Sequence, residues 1–188
     1  MTHRQIVVAE LPQGQLEEKH FRLEDAEIAA IGAGDVRLRV ILMSIDAANR
    51  AWMQGATYRA PVNAGDPMPT YAICEVMEAR TPRFSPGDIV AAEVVWAEEV
   101  IRKDTQIQKL DAVPRLENLL SVYGIAGKTA YHGLVSVGRP KRGETIVVSA
   151  AAGSVGGYVG QIGKALGCRV VGIAGGAEKC AWVKEHLG

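Results

Sequence analysis

Between residues 145 and 179 the chain orders three kinds of residue in a way that can hold a doubly phosphorylated ligand. Thr145-Ile146-Val147-Val148-Ser149 is a continuous β-branched run, and Ala151-Ala152-Gly153-Ser154-Val155-Gly156 is a loop of small residues that follows it. A helix N-terminus offers unpaired N–H groups and partial positive charge to an anion, provided no side chain stands between them. In a G-x-G-x-x-G loop the first position makes the turn, the second admits the phosphate and the third lets helix and strand approach. Here those positions hold Ala151, Gly153 and Gly156, so one glycine is replaced by alanine. The pattern gains weight from its context, because it follows a strand and opens an amphipathic helix. Ala152, Gly153, Ser154, Val155 and Gly156 are therefore the expected phosphate-facing residues.

The tip of the next strand distinguishes the two nicotinamide dinucleotides. A site for NAD places Asp or Glu about 20 residues past the loop, to bind the ribose 2′-hydroxyl. Counting 22 positions on from Gly153 gives Gly175, followed by Gly176. Two glycines leave room for a 2′-phosphate, and Lys179 supplies a cation in the first turn of the next helix. A lysine there opposes the helix dipole at a cost of about 0.3–1 kcal/mol unless an anion accompanies it. The expected cofactor is NADP(H).

The elements that must position these residues show a change of rhythm. Up to about residue 122 the chain reads as short strands divided by turns: Val36–Leu42, Ala72–Ala79 and Ile89–Trp96, with Ser85-Pro86-Gly87-Asp88 launching the last. Asn63–Pro69, with its glycine and two prolines, reads as an irregular loop. This pattern predicts a small β-barrel-like unit. From residue 123 onward the chain predicts a helix over Ala126–Val137, buried along Ala130, Leu134 and Val137 and closed by Gly138 and Pro140. The run Thr145–Ser149, apolar on both faces, then suits a buried parallel strand. A helix burying Val155, Val159, Ile162 and Leu166 follows, then a strand over Arg169–Ala174 and a helix over Glu178–Leu187, completing a βαβ unit. The expected domains are 1–122 and 123–188. A doubly wound domain has about six strands, and only two follow the leading helix, so the chain is expected to be the front part of a longer enzyme.

Composition narrows the function classes. Lys+Arg and Asp+Glu both number 21, giving zero formal net charge and no general pull toward nucleic acid or anionic membranes. No segment approaches the roughly 18 apolar residues of a membrane span. Cys74, Cys168 and Cys180 are widely spaced and form neither a C-x-x-C pair nor a disulfide framework. The expectation is a cytoplasmic protein with reduced thiols and a small-molecule substrate. A Gly-x-Ser-x-Gly elbow is absent, so serine-hydrolase chemistry is unsupported.

The stretch Val148–Gly156, with Val159-Gly160-Gln161-Ile162, Gly167-Cys168-Arg169-Val170-Val171-Gly172 and Glu178-Lys179, resembles the medium-chain dehydrogenase/reductase superfamily. Within it the likeness is to the zinc-independent leukotriene B4 12-hydroxydehydrogenase, prostaglandin reductase and 2-alkenal reductase group. Gly124–Leu134 resembles that group's leading helix, and Gly34-Asp35-Val36 and Pro86–Val90 extend the likeness weakly. The resemblance implies a GroES-like β-barrel catalytic domain followed by an incomplete Rossmann domain. It also implies hydride transfer from NADPH to the β-carbon of an α,β-unsaturated carbonyl compound. Lys179 would hold the 2′-phosphate and Thr129 would sit near the nicotinamide end. A homodimer is expected for the intact protein.

Where the group has Asp-Pro-Tyr-Met-Arg, this chain has Asp46-Ala47-Ala48-Asn49-Arg50, so the active-site aromatic is missing. Zinc-dependent relatives carry Gly-His-Glu where this chain reads Pro69-Thr70-Tyr71-Ala72, so no metal is expected. Without a metal, the enolate needs another hydrogen-bond donor, and Asn49 and Tyr58 are the candidates. Two alternatives stay open: an NADPH:quinone oxidoreductase, and a truncated homologue that binds nucleotide without turnover.

Overall fold

The computed structural model describes residues 2–187, which divide into two compact units, Met1–Leu116 and Glu117–Gly188. In the first unit, β1 (Thr2–Val8) pairs antiparallel with β2 (Phe21–Glu27). The strand β3 (Asp35–Met43) leads to a short helix α1 (Ala47–Trp52), then to β4 (Pro69–Ala79), β5 (Ile89–Val95), β6 (Glu99–Lys103) and β7 (Ile107–Lys109). These last five strands form one antiparallel sheet in the order β6-β3-β4-β5-β7. Register shifts at Arg37/Leu38 and Val40/Leu42 mark where β3 bends against β4. The alternation of β3 puts Val36 and Leu38 into the core, where Cys74, Val76, Val90 and Val100 meet them. Arg102 Nε donates 2.7 Å to the carbonyl of Glu93, so a side chain of β6 reaches an oxygen of β5 across the sheet. Burial holds the Arg102 guanidinium below its ordinary range.

The irregular loop ends earlier than its prolines suggest. Pro69 and Thr70 already belong to β4, because the first residue of a strand can lack an N–H. The helix α1 has its signal in Asp46 and Asn49. The Asp46 carboxylate accepts from Ala48 N, while Asp46 N donates to Asn49 Oδ1 at 2.8 Å.

The second unit contains α2 (Glu117–Leu120), α3 (Ile125–Tyr131), β8 (Thr145–Val148), α4 (Ser154–Ala165), β9 (Arg169–Gly172) and α5 (Gly176–Leu187). β8 and β9 are parallel, with Ile146 opposite Val170 and Val148 opposite Gly172. Three expectations need correction. The helix expected over Ala126–Val137 widens into a π-helical stretch at His132–Gly138, and the changed turn leaves Val137 80% exposed while Ala130 and Leu134 stay buried. The face of α4 that meets the sheet is its glycine row. Gly157 and Gly163 are buried, whereas Val155 and Leu166 are exposed. A Cβ at Gly163 would stand 2.9 Å from Ile146 Cδ1, so the helix lies too close to the strands for larger residues. Finally, β8 is covered on one face only, and Val147 on the other is 62% exposed.

Candidate cofactor site

The loop between β8 and α4 turns through backbone bonds alone. Ala150 adopts a left-handed conformation (φ 49°), which costs a non-glycine residue about 1 kcal/mol or more. Gly153 N donates to Ala150 O at 2.8 Å, and Ala151 N donates to Ile173 O at 3.0 Å, tying the turn to the extension of β9. Gly153 is the extended residue that precedes α4, and no side chain caps the helix there. Gly157 N donates to Gly153 O at 2.8 Å, closing the first turn of α4. The N–H groups of Ser154, Val155 and Gly156 thus open the helix without an intrahelical acceptor.

Each of the three signature positions has a distinct physical job. A Cβ on Gly156 would lie 2.3 Å from Ala150 O and 2.9 Å from Ala150 C, so only glycine lets α4 start against the turn. A Cβ on Gly153 would meet nothing but Ala150 O at 3.1 Å, and its outward side is open. The alanine at the first position is compensated across the sheet. Ala151 is buried, and a Cβ on Gly172 would come within 2.9 Å of the Ala151 methyl. The pair Ala151/Gly172 fills the space that a glycine and a larger strand residue would otherwise share. These bare, open amides fit a pyrophosphate.

The topology puts the loop after β8 and the tip of β9 at the same, carboxyl end of a parallel pair, where open α/β sheets bind ligands. Gly175 has open space where a side chain would be, and Gly176 (φ 81°) starts α5. Lys179 is exposed in the first turn of α5, and among the described residues it makes no ion pair with Glu178 or Glu185. Thr129 lies on the exposed side of α3, whose buried side is Ala126, Gly127 and Ala130.

The first unit holds the two candidate donors in different circumstances. Asn49 is 6% exposed and its amide is used locally, accepting from Asp46 N and donating 2.8 Å to Pro69 O. Tyr58 is 81% exposed, with its ring edge-on to Trp52 at 6.1 Å. The structure does not join the two into one donor pair. It does add a neighbour that sequence reasoning missed, since the guanidinium of Arg59 lies 4.6 Å over the Trp52 ring. No periodicity announces such a stack, because it depends on how the loop after α1 folds back. Cys74 is buried, and burial pushes its thiol up to about 12, which suits a core residue rather than a nucleophile. Among the described residues, no group of His, Cys, Asp and Glu is placed to hold a metal ion, and no helix is long and apolar enough to cross a membrane.

Comparison with known proteins shows the family and the fold. Residues 4–110 match the family described as the N-terminal domain of oxidoreductase. The chain is 42% identical over 188 residues to the NADPH-dependent curcumin reductase of Escherichia coli (strain K12), covering 99% of this chain and 54% of that protein. It is 36% identical over 171 residues to prostaglandin reductase 1 of Bos taurus, covering 88% and 50%. The crystal structure of CurA from Vibrio vulnificus in complex with NADPH superposes with a TM-score of 0.88 at 39% identity, covering 98% of this chain and 56% of that one. The chain thus spans about half the length of the curated relatives it matches. The antiparallel sheet of the first unit is that of a GroES-like domain, and β8-α4-β9 is the opening of a Rossmann domain. The chain belongs to the oxidoreductase family defined by this N-terminal domain, within the zinc-independent group of the medium-chain dehydrogenase/reductase superfamily.

Proposed function

We propose that the protein serves as an NADPH-dependent reductase of the activated C=C bond in α,β-unsaturated carbonyl compounds. The observation that carries this reading is the uncapped start of α4, where Gly153 and Gly156 keep the amides bare. The 42% identity to a curcumin reductase described as NADPH-dependent supports the choice of chemistry. When bound, NADPH supplies the hydride. The amides of Ser154, Val155 and Gly156 receive the pyrophosphate, with Ala152 and Gly153 forming the floor of the turn. Lys179 pairs with the 2′-phosphate beyond the glycines at the strand tip, and Thr129 orients the nicotinamide end. Tyr58 presents its hydroxyl to the substrate in the first unit. Asn49 acts indirectly, by holding α1 to β4 through Pro69 O. The same reading has the intact protein act as a homodimer in the cytoplasm, and three free cysteines suit that reducing compartment.

The test is turnover and cofactor preference. The protein is expected to oxidise NADPH with benzylideneacetone and to release the saturated ketone. Lys179→Ala is expected to weaken NADPH binding about tenfold or more, the loss of one charge-assisted contact, with NADH nearly unchanged. Equal weakening of both nucleotides removes the 2′-phosphate role. Absence of enone-dependent NADPH oxidation removes the activity.

A further inference from the structure

We infer that Arg59, seated on Trp52, selects enones that carry a carboxylate next to an aromatic body; this rests on the enone-reductase reading above. Between Asp46 and Asp66 the chain has two arginines, Arg50 and Arg59, and no carboxylate. Both flanking aspartates are engaged close by: Asp46 accepts from Ser44 Oγ and Ala48 N, and Asp66 accepts from the backbone and amide of Asn63. Among the described residues neither arginine has a carboxylate partner. Arg50 Nη2 donates to Gly14 O, and its Nη1 is buried with no acceptor. The segment therefore carries two guanidinium groups with no ion-pair partner among the described residues.

Arg59 is the member of this pair that is built to meet a ligand. Its guanidinium lies 4.6 Å from the centroid of Trp52, a ring only 7% exposed and so a fixed platform. Tyr58 approaches the same ring edge-on at 6.1 Å and is 81% exposed. One buried indole thus holds a planar cation and a phenol side by side, with the phenol facing outward. A stacked guanidinium loses less rotamer freedom when it forms a bidentate pair with a carboxylate. The tyrosine ring offers a face for an aromatic substrate, and its hydroxyl a donor for the carbonyl.

The 188-residue chain with NADP+, which has no hydride to transfer, is titrated unaltered and as Arg59→Gln with benzylideneacetone and with its para-carboxylate, following ligand NMR signals. The unaltered chain is expected to bind the carboxylate about tenfold more tightly than the neutral enone. Arg59→Gln should erase that preference and leave the neutral probe unchanged, and Arg59→Lys should restore part of it. Added salt should shrink the preference in the unaltered chain. Thermal unfolding of each variant reports whether the loop platform survives. Equal affinity for the two probes, or equal loss of both in Arg59→Gln, overturns the inference and leaves the reductase reading standing. If neither probe binds, the reductase reading fails and this inference fails with it.

Discussion

Gly156→Ala tests whether the start of α4 is as close to the turn as the geometry states. In the middle of an exposed helix, glycine to alanine is stabilising by about 1 kcal/mol. Here the new methyl would stand 2.3 Å from Ala150 O, 2.9 Å from Ala150 C and 3.0 Å from Ala151 Cα, all backbone atoms that no rotamer change can move. The first turn of α4 must retreat by roughly 1 Å to reach ordinary contact, which strains the bonds from Gly153 N to Ala150 O and from Ala151 N to Ile173 O. Overpacking of this kind costs about 1–3 kcal/mol, and the propensity gain offsets only part of it. The net expectation is a loss of up to about 2 kcal/mol in urea unfolding, with NADPH binding weakened further because the amides have moved. Gly160→Ala is the control. Its methyl meets only Val170 Cγ1 at 3.8 Å, so it should keep the propensity gain and stabilise the chain. If Gly156→Ala is as stable as Gly160→Ala and binds NADPH equally well, the close approach of helix to turn is wrong.

Two further outcomes follow from the first unit. Cys74 is fully buried with its thiol pushed up to about 12, chiefly by burial, so iodoacetamide should label Cys180 in the native protein and spare Cys74 until urea is added; native labelling of Cys74 at the rate of a free thiol refutes its burial. The carboxyls of Asp35 and Asp88 are held below their ordinary range, first by the Lys103 and Lys109 ammonium groups and then by the N–H groups of Gly32 and Ser85. A depressed carboxyl binds its proton less readily folded than unfolded. Its stabilisation is therefore complete above about pH 4 and is lost as pH falls through the lower folded value. The Tm gap between the unaltered chain and Asp88→Asn should close on acidification, and a gap that persists at low pH rules out the ion pair as its source.

The parts of the fold that were legible in the sequence are those written in local chemistry. Alternation in Val36–Leu42 named the residues that enter the core, because a strand has only two faces. The turn Ser85–Asp88 named the start of β5, and Gly87 there has φ 89°. Gly156 was identifiable because the close packing of helix against turn demands the absence of a side chain. What escaped was set by partners distant in sequence. The local role of Asn49 is one example: its carbonyl accepts from Asp46 N and its Nδ2 donates to Pro69 O, a strand start 20 residues on. The stack of Arg59 on Trp52 depends on the path of an irregular loop. The left-handed Ala150 carries no compositional mark, since glycine or asparagine would ordinarily announce such a turn.

The misreading of α4 and β8 has one physical origin. Large apolar side chains suggest burial, but what fits between a helix and a sheet depends on how closely the two approach. With Gly156, Gly157, Gly160 and Gly163 along one side, α4 comes near enough for a Cβ at Gly163 to meet Ile146 and Val170 at 2.9 and 3.2 Å. The strands, not the helix, then supply the apolar bulk of that layer. The opposite face of the same two strands carries Val147 and Val171, 62% and 39% exposed. Apolar residues on both faces are the mark of a strand with a layer on each side, and within these residues α4 forms only one. The close approach that gives α4 its bare N-terminal amides is thus the same feature that leaves Val155 and Leu166 exposed and Val159 and Ile162 only half-buried, so amide exposure and helix burial are set by one row of glycines.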